Sequence, residues 1–268
     1  MTRLNARISL LFIFVLVLLI LGVGCRTASP EIQSNFFQAI LDDNFNGADY
    51  LLSLGADINA IAVNTYVVKV GRQYASTGLG ETALHMTATY GKIDGVKWLL
   101  GKGADVNIKA TNDGSTPLLR AIFMGTVLYN SLDIANLLIN KGADINVQDD
   151  NGWTPLHHAA NAGNNDFVRM LLEKGANINA KTDKDWTALY LAVRDCPIDT
   201  DRHTRKAIDG QPLYLGVRDS QIDTVKLLLE EGAAVNVADN EDHTIMQIAK
   251  KNGNTEIIAL LQSYGGKE

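Results

Sequence analysis

The chain has 268 residues, with 24 Lys and Arg against 30 Asp and Glu, a formal charge of −6. An acidic chain without a Lys/Arg run is a poor partner for the phosphates of DNA or RNA, which excludes a nucleic-acid reading. It offers no electrostatic pull toward anionic lipid either, so any membrane attachment has to rest on apolar groups.

The chain opens with MTRLNARISLLFIFVLVLLILGVGC. Arg3 and Arg7 precede an apolar run from Ile8 to Leu21, and Gly22, Val23 and Gly24 lead to Cys25. A basic start, a short apolar stretch and small residues before a break describe an export signal over residues 1–24. The run is shorter than the about 20 apolar residues of a spanning helix. Small residues directly before a cysteine resemble a bacterial lipobox, and that resemblance implies that Cys25 becomes the lipidated N-terminus. The chain is then anchored by acyl chains rather than spanning. Arg26, in place of an inner-membrane aspartate, implies an outer-membrane anchor facing the periplasm if the host is diderm. An uncleaved signal anchor in the inner membrane is the alternative. Residues 25–33 form the tether. Loss of Arg3 and Arg7 with the signal lowers the basic count while all 30 acidic residues remain. Cys196 then stands alone, without an internal disulfide partner.

From Phe36 the chain repeats itself. FFQAILDDNFNGADYLLSLGADINA carries the second half of a unit whose complete form is NGWTPLHHAANAGNNDFVRMLLEKGANINA, residues 151–180. Further copies start at Gly80, Gly114, Asp185 and His243, about six in all. The signature threonines recur at an interval of about 33 residues, from Thr82 to Thr116 and again from Thr154 to Thr187. In the fourth copy Thr154 caps a helix with Pro155 at its first position. Leu156, Ala159 and Ala160 form a narrow apolar stripe, and the small alanines admit a neighbouring helix. Val168, Leu171 and Leu172 mark a second helix, which Gly175 stops.

Two stretches break the period. Between Asn59 and Thr82 the chain is longer than the corresponding stretch from Asn146 to Thr154. The Val, Thr and Tyr content of this surplus predicts a lengthened β-hairpin finger near residues 60–79. TALYLAVRDCPID at 187–199 and QPLYLGVRDSQID at 211–223 are near copies, and either suits the first helix of the fifth unit. The polar loop near 196–210 lies between them. Asp195, Cys196, Asp199, Asp201 and His203 are residue types that suit zinc, but their spacing fits no strong zinc pattern.

The units resemble the ankyrin repeat, a helix–turn–helix with a hairpin-like loop and a T-P-L-H-x-A signature. The resemblance implies an all-α solenoid over residues 34–264 with one hairpin-like insertion and a short tail at 265–268. Stability then comes from each unit burying its apolar faces against the next. His85 and His157 fall at the signature position, where the family's histidine hydrogen-bonds around the loop; the adjacent His158 matches no family role. No acidic or thiol partner recurs beside them, so no catalytic residue, cofactor or metal is expected.

Ankyrin proteins bind other proteins through loop tips and first helices. Carried over residue by residue, that surface comprises Glu81, Tyr90, Asp113, Phe123, Asp150, Asn151, Trp153, Asn161, Lys184, Trp186 and Arg194. Tyr90, Phe123, Trp153 and Trp186 are expected to be exposed, forming an aromatic face with an acidic rim of Asp149, Asp150, Asp183 and Asp185. The reading is a non-catalytic binder of an unidentified protein, lipid-anchored at the cell envelope as scaffold, inhibitor or protector. A metal-dependent enzyme using residues 195–206, or a structural envelope protein self-associating through the finger, are the alternatives.

Overall fold

The computed structural model describes residues 28–70, 73–124, 130–194 and 217–267. The export signal, Cys25, the 196–210 loop and the candidate zinc ligands Asp195, Cys196, Asp199, Asp201 and His203 lie outside the described residues. Twelve helices occupy the described residues, and they fall into six pairs.

The pairs are α1 (Pro30–Leu41) with α2 (Phe45–Ser53), and α3 (Ala83–Thr89) with α4 (Ile93–Gly101). They continue with α5 (Pro117–Met124) and α6 (Ser131–Asn140), then α7 (Pro155–Asn161) and α8 (Asn165–Glu173). The last two are α9 (Ala188–Arg194) with α10 (Val217–Glu230), and α11 (Ile245–Asn252) with α12 (Thr255–Ser263). The first helices of the pairs pack on one another in chain order, α1 through α11, and make the spine of the stack. Helices this short do not persist alone, so they exist because they are packed. Ala88, Ala121, Ala159, Ala160 and Ala192 are all fully buried along this spine, and their small size sets the close approach. The first helix starts at Pro30, inside the stretch read as tether, because Ser29 caps it and Pro30 suits its first turn.

The two near-copies in the fifth unit have separate fates. Residues of the first form α9, which packs between α7 and α11 as the spine helix. The described part of the second, Val217–Asp223, opens α10, which is longer than the second helices of the other units. Gln221 is buried and its amide donates to the Asn161 carbonyl at 2.9 Å, so this added turn is fixed to the previous unit.

The finger is an antiparallel hairpin, β1 (Tyr66–Val70) paired with β2 (Gln73–Thr77) in register Tyr66 opposite Thr77. Its root is stitched into the stack: the Ala62 N–H donates to the Glu81 carbonyl at 2.8 Å and the Gly80 N–H to the Ala62 carbonyl at 2.9 Å. Tyr66 packs against Phe37 of α1 with ring centroids 5.1 Å apart. A two-stranded ribbon is marginal alone, and these contacts anchor it.

Candidate functional site

Between successive units the loops are held by two ladders of hydrogen bonds. At the hairpin tips, the N–H of Thr111, Asp150, Asp183 and Asn240 donates to the carbonyl of Gly80, Asp113, Asn151 and Lys184 respectively, at 2.9 to 3.2 Å. Below them runs an asparagine ladder. The side-chain oxygens of Asn59, Asn107, Asn146, Asn179 and Asn236 each accept from a backbone N–H of the following unit or tail at 2.8 Å. The tips therefore keep a fixed spacing along the stack, which is what a surface shared among units requires.

The signature histidines belong to this framework. The Thr154 N–H donates to His157 Nδ1 at 3.0 Å, and Nε2 lies 3.0 Å from both the Ala180 and Trp186 carbonyls. With carbonyls on one nitrogen and an amide on the other, the ring is neutral with its proton on Nε2. His85 repeats this with Thr82 and the Ser115 carbonyl at 2.9 Å. Burial pushes both imidazoles down to about 4, although the carbonyls act in the opposite direction. Neither ring has a nitrogen free for a proton relay or a metal. Gln247 closes the same reciprocal cap with Thr244. In the fifth unit Tyr190 stands at this position and reaches the next loop instead, donating to Asp239 at 2.7 Å.

On the spine side, units three to five enclose a groove of about 470 Å³. It is lined by Phe123, Asp149, Asn151, Trp153, His158, Asn161, Ala162, Asp183, Lys184 and Trp186, and Arg194 Nη2 donates to Asn161 Oδ1 at 3.4 Å. Asp149 Oδ1 accepts from the N–H groups of Asn151 and Trp153, both at 2.9 Å, while Oδ2 lies 3.1 Å from His158 Nε2. Burial pushes the Asp149 carboxyl up, but the bonds from His158, Trp153 and Asn151 prevail and hold it below the usual carboxylate range. His158 lies 5.0 Å from the Trp153 ring and edge-on to Phe123 at 6.0 Å. Trp186 stacks on Tyr190 at 6.0 Å and carries two cations on its ring, Lys184 Nζ at 4.8 Å and Arg194 Cζ at 4.3 Å from the centroid.

The ankyrin-repeat family model, with three copies, matches residues 36–128 and 123–203. The chain belongs to the ankyrin-repeat family. No curated protein matches it. Ankyrin repeats are in general protein–protein interaction modules rather than catalytic ones, and the groove lies on the loop-tip and first-helix surface through which they bind.

Of the surface residues expected from the ankyrin pattern, Phe123, Asn151, Trp153, Asn161, Lys184 and Trp186 line this groove. Asp150 stands on the tip beside Asn151, and Arg194 lies over Trp186. Three do not join them. Glu81 is only 6% exposed, because its carboxylate pairs with Arg120 Nε at 2.8 Å. The other side of that guanidinium pairs with Asp113 at 3.0 Å, and Asp113 also caps its own turn through the Ser115 N–H. Tyr90 is half-buried against the core. The expectation of four exposed aromatics is thus corrected: Phe123, at 62%, is exposed, while Tyr90, Trp153 and Trp186 are half-buried. The acidic rim is thinner as well, since Asp149 is turned inward and Asp185 pairs with Lys181.

His158 is the groove residue that the sequence pattern passed over. Its signal was helical spacing, because residue 158 shares a face with Asn161 and Ala162, three and four positions on. Among the described residues no group of three or more His, Cys, Asp or Glu is placed to hold a metal. Nor is any described helix long and apolar enough to cross a membrane.

Proposed function

We propose that this ankyrin stack is a non-catalytic protein-binding module, held at the bacterial cell envelope by acyl chains on Cys25, which receives a segment of a partner protein in the groove of units three to five. The observation that carries the reading is the groove itself. Three consecutive units contribute to one concavity, and the exposed ring of Phe123 stands at its edge. Large aromatics dominate the energetics of protein interfaces, and an exposed one beside a polar concavity marks a contact surface. The chemistry supports binding rather than turnover: the signature histidines are neutral and bonded on both nitrogens, and the groove's own histidine is tied to Asp149. Bound in this way, the protein acts as a scaffold, inhibitor or protector of its partner.

The test immobilises the full chain and exposes it to envelope extract from the native cell, beside a Phe123→Ala variant. A protein retained by the wild type and lost with the variant is the expected result; equal retention overturns the groove assignment. The anchor is tested separately. Cys25→Ser should abolish incorporation of labelled palmitate and release the protein from the membrane fraction, and undiminished labelling would refute lipidation at Cys25.

A further inference from the structure

We propose that the fourth-unit corner of the groove is a seat for a basic side chain of the partner, arginine above lysine, stacked on Trp153 and paired with Asp183. The inference rests on the protein-binding reading above and names the chemistry of what binds.

The argument is a comparison within the chain. Units four and five superpose in register with Thr154 on Thr187, which aligns Trp153 with Trp186, Asn151 with Lys184 and Asn161 with Arg194. In unit five the indole already carries its cations, Lys184 at 4.8 Å and Arg194 at 4.3 Å from the ring centroid. A cation within about 6 Å of an indole centroid is attracted by the ring quadrupole, so this repeat position is built for that contact. In unit four both cation positions hold asparagine. Among the described residues no Lys or Arg lies over Trp153.

The charges differ in the same sense. Asp149 stands where unit five has the neutral Thr182, and hydrogen bonds hold it ionised at the groove wall. Asp183 adds a second, exposed carboxylate from the neighbouring tip. The unit-four side of the groove thus presents an indole and the exposed Asp183 carboxylate, backed by the inward-turned Asp149, with Arg194 at its border donating to Asn161 Oδ1 at 3.4 Å, and the unit-five side presents an indole that is already served. His158 packs on the Trp153 ring, centroids 5.0 Å apart, with its Nε2 directed at Asp149. An incoming cation gains the ring contact seen at Trp186 together with Coulomb attraction to Asp183, whereas an acidic side chain meets that carboxylate. A planar guanidinium can stack on the ring and fork a carboxylate at once, which favours arginine.

The experiment follows the tryptophan indole NMR signals of the full chain in detergent micelles at pH 8, where an ordinary imidazole is neutral. N-acetyl-arginine amide is the probe, its neutral isostere N-acetyl-citrulline amide is the control, and Trp153→Phe assigns the signal. The Trp153 indole should shift saturably with the arginine compound and not with citrulline. Asn151→Lys, which installs the cation that unit five carries, should weaken the probe at least about fivefold more than Asn151→Gln does, a cation–π-sized effect. Asp183→Asn should weaken it as well. Equal shifts from the two compounds, or an undiminished titration with Asn151→Lys, overturn the seat. Partner capture by the Asn151→Lys variant separates the two readings. Undiminished capture that is still lost with Phe123→Ala leaves a protein-binding groove without a cation seat.

Discussion

At the scale of single residues, the histidines show how one side chain joins two units. His157 closes its own helix cap with Thr154 and reaches two carbonyls of the next loop, and His85 does the same two units earlier with one carbonyl. Both arrangements need the neutral ring. The folded-state value of about 4 lies below the ordinary imidazole value, so between the two the unfolded chain binds the proton and the folded chain does not. Stability contributed by these groups is therefore full above about pH 6.5 and declines as pH falls toward 4. Urea unfolding at pH 7.0 and 4.5 should show this decline, and His157→Gln should reduce it, since Gln247 demonstrates that glutamine closes the same cap. Phe123→Ala belongs to the same scale. Its ring is 62% exposed, so unfolding should change by less than about 0.5 kcal/mol while partner capture is lost.

Among elements, the loops rather than the helices carry the register between units. Each rung of the asparagine ladder is one hydrogen bond to a backbone amide, for which about 1 kcal/mol is expected. Asn146→Ala should lower unfolding stability by about that amount, read from the shift in denaturant midpoint at constant slope. Gly152→Ala should cost more, about 1–3 kcal/mol. Its φ of +74° disfavours any side chain, and a Cβ there would sit 2.6 Å from the Asp183 carboxylate and 2.7 Å from the Asp183 backbone nitrogen. Because Asp183 also lines the groove, that substitution should weaken binding along with stability, whereas Asn146→Ala should spare binding.

For the molecule as a whole, stability is a sum over neighbours, and the end units have one neighbour each. Amide exchange should therefore be slowest in α5, α7 and α9 and fastest in α12, with the groove set on the protected centre. Exchange equally slow at the C-terminal end would show instead that the stack unfolds as a single unit. A central position suits a binding surface, since a groove spread over three units needs all three in fixed relation.

The sequence by itself determined the fold class, because each period repeats the same cap, stripe and stop, and each of these is a local signal. It also placed the finger, whose strand composition differs from everything around it, and it named six of the groove-lining residues from their position in the unit. Tertiary structure decided what position alone leaves open. Glu81 and Asp113 are drawn away by Arg120, which sits on the spine helix of the unit after Glu81, and such a pairing leaves no trace in the repeat pattern. The two near-copies of the fifth unit are alike in sequence, and only packing between α7 and α11 selects the first as the spine helix. His158 enters the groove because the turn before Trp153 brings Asp149 to it. Trp153 and Trp186 occupy one repeat position, yet only the latter has its cations: the sequence sets Asn151 and Asn161 against Lys184 and Arg194, and the fold brings the latter pair over the ring. A repeat fixes where side chains are placed, while their partners are fixed by the units that stack against them.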